Sequence, residues 1–301
     1  MACKTELPQQ RRGCLYRIKN NCQVKERGKS MKVVRVETVQ EAMELLIDQP
    51  YDEASKIYRN LYVYRGIPNV DFKLITSLRR NCGKKQKELE QHILDNFSKY
   101  AEHEAPSMLT SIWKRMILGQ HHGLPTRLLD WTRSPLVALH FAMTEGDYTQ
   151  MDKHDAVVWR IDIPDLKKQL PEEYRKVLDE ANSSVYTMDQ LDQVTGGSLD
   201  KYDHDMGTSG MVILEPPSMD QRVANQYSFF SVVPAGMKEV DSFLEGTENT
   251  VKYVISKDIR WHLRDALDQM NINERMIYPG LDGIARVEGR HYYVRDEREH
   301  C

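Results

Sequence analysis

No stretch of the 301 residues holds the roughly 18 consecutive apolar side chains that a membrane-spanning helix needs. A charged-then-apolar leader of the secretory kind is missing as well, so the expected compartment is the cytoplasm. The five cysteines, Cys3, Cys14, Cys22, Cys82 and Cys301, form neither a C-x-x-C pair nor a Cys/His zinc spacing. Their odd count and scatter read as free thiols of a reducing compartment. The H-E-x-x-H, Walker A, G-x-S-x-G and G-x-G-x-x-G signatures are absent, which weighs against several common enzyme classes. Excess charge is absent too: the formal net charge of −3 argues against a wholesale nucleic-acid-binding surface, while leaving room for a local basic groove. What remains, 40% hydrophobic and 29% charged residues, is the balance of an ordinary globular protein able to bury a substantial core.

Residues 1–30 differ from the rest. Lys4, Arg11, Arg12, Arg17, Lys19, Lys25, Arg27 and Lys29 face only Glu6 and Glu26, without apolar periodicity. This predicts a disordered basic extension, either a bland upstream segment or an arm for RNA or a partner. From Met31 to Cys301 a single domain is expected, helical in its N-terminal part. Thr38-x-x-Glu41 is a capping box for a helix to about Gln49. "LYVYRG" (61–66) reads as a strand stopped by Gly66 and Pro68. Two helices are expected on either side of Pro106. "RLLDW" is strand-like, and Ser134-Pro135 starts the helix "LVALHFAM". Further strands are expected at 156–163, 211–215, 228–233 and 251–256, with Asp258 capping a helix to about Met270. The polar, acidic stretch 165–209 reads as an insertion or mobile segment. Strands in the middle and helices around them give an α+β fold with a mixed or antiparallel central sheet.

Candidate chemistry concentrates at "QHHGLPTRLLDWTRSPLVALHFA" (120–142). Adjacent His121 and His122 on a helix point about 100° apart, a poor chelate, so no metal is expected and a polar contact in a cleft fits better. Arg65 lies inside an apolar, aromatic strand, which demands an anionic partner: a ligand phosphate or carboxylate, or an internal aspartate such as Asp130. Gly66 beside it permits close approach of a ligand or chain. Arg127 and Asp130 fall on opposite faces of one strand. Arg222 and Gln226, in "RVANQYSFF", share a face if their segment is helical.

With "YRG" at 64–66, "SLRRN" at 77–81, the 120–142 motif and "RVANQYSFF" at 222–230, the chain is identified as a member of the FRG-domain family, over about residues 57–290. "MIYPGLDGIAR" (276–286) resembles the end of that domain. Such domains are similar to modules of bacterial toxin and anti-phage systems. A more distant resemblance is to ADP-ribosyltransferases, in which an arginine or histidine ends one strand, a Ser/Thr-rich strand leads into a helix, and a Glu or Gln opens a later strand. "YRG", "LDWTRSPLVALHFA" and "NQYSFF" resemble these three motifs in order, with Gln226 replacing the usual acid. The resemblance implies an ADP-ribosyltransferase-like fold and an NAD-dependent toxin modifying RNA, DNA or protein. NAD would be the co-substrate, Arg65, Gln226 and His122 the catalytic residues, and Tyr64, Arg65, Gly66, Arg127 and Thr132 the NAD-binding ones. It also implies a possible antitoxin partner and no membrane. Two alternatives stand beside it: a non-catalytic nucleotide or nucleic-acid binding module, and a nuclease or NAD glycohydrolase. The expected geometry is convergence of Arg65, the Thr132 turn and Gln226 on one pocket.

Overall fold

The computed structural model describes residues 31–45, 48–144 and 148–294, so the basic extension expected at 1–30 lies outside the described residues. Nine strands are found among them: β1 Lys32–Val36, β2 Tyr51–Asp52, β3 Ile57–Tyr58, β4 Tyr62–Ile67, β5 Leu128–Thr132, β6 Ala156–Asp162, β7 Val212–Leu214, β8 Ser228–Val232 and β9 Val251–Ile255. Seven form one sheet in the order β1-β9-β6-β4-β5-β8-β7, with β2 and β3 as a separate hairpin. Only β1 and β9 run parallel; the other neighbours are antiparallel. The expected α+β class with a mixed central sheet is the observed one.

Strand alternation distributes the core over both faces. One face carries Val63, Leu129, Trp131, Trp159, Ile161 and Phe229 in a single cluster. The opposite face is divided. Leu128, Phe230 and Val232 pack on Trp113, Met116, Tyr174 and Tyr202 at one end. Tyr64, Val158, Tyr253 and Ile255 pack on Ala138, Leu139, Ala142 and Leu267 at the other. The division falls between β4 and β5, whose pairing is confined to Tyr64↔Thr132. On its other side β4 pairs with β6 along its whole length, from Tyr62↔Asp162 to Ile67↔Val157.

Several local expectations change. The capping box at Thr38 is present in both directions, but the helix is short, Val39–Glu44. It follows an edge strand, so the N-terminal part is not purely helical. Gly66 does not stop β4: helix Pro135–Ala142 lies so close that a Cβ at Gly66 would come within 1.9 Å of the Ala138 carbonyl oxygen. The approaching group there is the chain itself. Helix Arg260–Gln269 takes Ile259 as its N-cap, and Asp258 instead donates its N–H to Ser256 in the preceding turn. The polar stretch 165–209 holds the helices Glu172–Glu180, Met188–Thr195 and Leu199–Met206. Its tyrosines Tyr174, Tyr186 and Tyr202 are fully buried, each hydroxyl finding a partner: Asp205, the Tyr174 carbonyl and the Val232 carbonyl. These rings, their polar tips satisfied, enter the core beside the aliphatic side chains of Leu170, Leu178 and Leu191.

Candidate functional site

The strands expected to carry the three motifs are neighbours in the order β4-β5-β8. Thr132 ends β5 and joins them. It faces Tyr64 across one ladder and Ser228 across the other. Its hydroxyl donates to the Gln226 carbonyl at 2.6 Å and accepts from the Ser134 N–H at 3.0 Å. The one proton of that hydroxyl is thereby used, so Thr132 fixes the strand-to-helix turn and holds no free donor for a ligand. Ser134 then caps the helix through Val137 N–H, as expected.

Arg65 sits where β4 and β5 part. Its Nη1 donates to the Asp130 main-chain carbonyl at 2.5 Å and lies 3.6 Å from the Asp130 carboxylate. The guanidinium thus replaces the ladder bond that the splayed strands fail to make. Its side chain remains 26% exposed, and its Nε is buried with no partner. Asp130, with its side chain 60% exposed, is held on both oxygens by Gln120 Nε2, at 3.1 and 3.2 Å. Gln120 is oriented in turn by the Thr126 hydroxyl at 2.6 Å.

His121 pairs its Nε2 with Asp220 at 2.6 Å, while His122 is exposed and lies edge-on to His121. Asp220 is partly desolvated, yet the Val223 N–H and His121 hold its carboxyl below the usual range. Asp220 also caps helix Gln221–Asn225, and Gln226 is that helix's C-cap. The Gln226 side chain turns toward the C-terminal segment and donates to the Ile277 carbonyl at 3.2 Å. Tyr227 follows with φ +48°, an uncommon backbone for a bulky residue, and is 59% exposed.

Three residues expected to bind NAD are sealed. Arg127 is 3% exposed and closed between Glu90 and Asp203, with bonds of 2.7 Å from Nε to Glu90 and 2.5 Å from Nη1 to Asp203. Burial opposes its charge, and the two carboxylates outweigh that penalty. It belongs to a core ion triad and offers no donor to NAD. Tyr64 is fully buried, bonded to Gln49 Nε2 at 2.8 Å, with its phenol pushed up to about 12 by burial. Gly66 is covered by the helix, as described above.

Sequence reading did not single out Tyr278 and Arg286. Together with Asp220 and Arg222 they line an open cleft of about 440 Å3. The Arg222 and Arg286 guanidinium carbons stand 5.3 and 4.3 Å from the Tyr278 ring centre. The signal available in advance was the basic pair within "DQRVANQ" and "GLDGIAR", which the tail motif masked as a domain end. Arg65 does not line this cleft.

Residues 60–151, spanning β4, the 120–142 motif and the helix behind it, match the family model described as the FRG domain. The segments around Gln226 and 276–286 lie beyond the matched residues. No curated protein and no solved structure matches the chain.

Proposed function

We propose that this FRG-domain protein is an NAD-dependent ADP-ribosyltransferase acting in the cytoplasm on a cellular macromolecule, as a toxin of bacterial defence. The observation that carries the reading is the adjacency of the three motif strands, with one hydroxyl tying Thr132 to Gln226 beside Arg65. In the reaction the ribosyl C1′–N bond to nicotinamide breaks, an oxocarbenium-like sugar forms, and an acceptor nucleophile adds to C1′ as it loses its proton. Arg65 would meet ribose or phosphate oxygens through its exposed edge. Gln226 carries no charge, so Asp130, beside Arg65 and held by Gln120, would supply the negative charge that steadies the cationic sugar. His122, exposed at the helix end, would assist proton transfer.

A non-catalytic nucleotide-binding module is the second reading. It is favoured by the absence of a carboxylate at Gln226 and by the engagement of Arg65 with Asp130.

The test incubates purified protein with NAD labelled in its adenylate part, together with cell RNA and lysate. A labelled macromolecule supports the transferase. Free ADP-ribose would indicate a glycohydrolase, shortened RNA a nuclease, and unchanged components the binding module. Arg65→Ala and Gln226→Ala should each abolish transfer in a folded protein.

A further inference from the structure

We propose that the cleft around Tyr278 is a binding site for the phosphate groups of a nucleotide or polynucleotide, with Arg222 and Arg286 as its ligating residues. Eight of the described arginines are spent on acids: Arg35, Arg59, Arg65, Arg115, Arg127, Arg160, Arg264 and Arg290 all form ion pairs. Among the described residues Arg222 and Arg286 form none, and both are exposed. They are nevertheless not left to wander. Both lie over one tyrosine ring in cation–π contact, which restrains the guanidinium groups while leaving their N–H groups for a ligand.

The backbone builds this placement. The start of helix Leu281–His291 lies against the preceding segment so tightly that a Cβ on Gly283 would come within 2.0 Å of the Tyr278 carbonyl oxygen. Only glycine permits that approach, and Arg286, three residues on, shares the Gly283 side of the helix. Arg222 arrives from the other wall, on helix Gln221–Asn225, whose end is bonded to the C-terminal segment through Asn225 to the Met276 carbonyl and Gln226 to the Ile277 carbonyl.

Two aspartates also line the cleft, and neither forms an ion pair with the arginines. Asp220 spends its carboxylate inward, on His121 and the Val223 N–H. Asp282 lies in the first turn of its helix, where the N-terminal end of the peptide dipoles favours a carboxylate. What faces outward is a pair of guanidinium groups held over one ring and bound by no acid, in a cleft large enough for a diphosphate. That chemistry selects phosphate oxygens over carboxamides or sugars.

The experiment is calorimetric titration of the full chain with sodium pyrophosphate, with ADP-ribose, and with a short single-stranded RNA. Binding of pyrophosphate or ADP-ribose alone assigns the cleft to a dinucleotide's diphosphate. Binding of RNA alone assigns it to a polynucleotide backbone. Either supports the site if Arg222→Ala and Arg286→Ala each weaken binding by about tenfold or more. Tyr278→Phe should bind within about twofold of wild type, because the ring that stacks the arginines is kept, whereas Tyr278→Ala should bind several-fold more weakly. Should an alanine variant fail to fold, the corresponding lysine variant, which keeps charge but loses the planar fork, gives the same reading. No binding of any probe, or binding unmoved by the arginine substitutions, overturns the proposal. The measurement needs no turnover. A chain that binds these probes through Arg222 and Arg286 yet leaves NAD intact would therefore sink the transferase reading alone.

Discussion

Two polar regions of this molecule use the same residue types to opposite ends. In the 120–132 motif nearly every polar side chain is consumed by another part of the protein: Gln120 by Asp130 and Thr126, Arg127 by Glu90 and Asp203, Thr132 by Gln226 and Ser134. Around 220–227 and 278–286 the arginines Arg222 and Arg286 are exposed and unpaired by acids, and exposed Tyr227 adopts a positive φ. A dense polar motif is therefore first a framework, closed because buried donors must be satisfied. The open region is where spare binding capacity lies.

The largest effect that would break this contrast is at Arg127. Arg127→Met leaves the buried Glu90 and Asp203 carboxylates uncompensated and should cost about 3–5 kcal/mol. Urea unfolding measures it, and a loss under about 1 kcal/mol would mean that the triad is not the sealed framework described. Gly66→Ala follows, at roughly 1–3 kcal/mol or an outright failure to fold, since the new methyl group meets helix backbone rather than a movable side chain. A melting temperature equal to wild type would show that the helix stands farther from β4.

His140, at the end of the motif helix, gives a pH test. It is fully buried, and its Nδ1 faces Arg264 Nη1 at 2.7 Å. Burial, then the charge of Arg264, lowers its pKa from 6.5 to about 3. Because the folded value lies below the unfolded one, the neutral ring favours the native state above pH 6.5, and that advantage drains away as pH falls toward 3. Between pH 6.5 and 5 the loss should be about 2 kcal/mol. His140→Asn should flatten the profile over that interval, and an unchanged slope would assign the acid sensitivity elsewhere.

The smallest effect belongs to the open region. Tyr227→Asn, which tolerates the left-handed backbone better, should raise stability by up to about 1 kcal/mol. It should also lower affinity for NAD or nucleotide if the exposed ring serves the site. A variant neutral in both would remove Tyr227 from consideration.

Much of the sheet was legible in advance. The strands at 62–67, 128–132, 156–162, 212–214, 228–232 and 251–255 follow from β-branched and aromatic runs, and Ser134-Pro135 marks a real cap. β1 was hidden because "KVVRV" is an edge strand with polar alternation leading directly into a capping box. The helices of 165–209 were hidden because their few buried side chains, Tyr174, Leu178, Leu191, Tyr202 and Met206 among them, are scattered between acids. The partners of the motif were the least readable. Arg127 meets residues 37 and 76 positions away, Thr132 one 94 positions away, and no local pattern encodes such distances. Arg65 illustrates the limit most directly. A buried-leaning arginine demands an acceptor, and the sequence could not say whether that acceptor was a ligand or the carbonyl of Asp130.

The position of β9 bears on how the chain is made. β9 lies between β1 and β6, so β1 has no neighbour until residues near 251 have left the ribosome. Between the synthesis of β6, which ends at Asp162, and that of β9, which starts at Val251, the sheet therefore offers the unpaired edge of β6, flanked by β4, to whatever chaperone or nascent chain is nearby. Closing the sheet then joins segments more than 200 positions apart, a long search that makes folding slow. A ribosome that stalls before β9 would release a sheet without its parallel pair, and pulse-labelling of nascent chains with a protease should reveal protection of β4 and β6 appearing only late in translation.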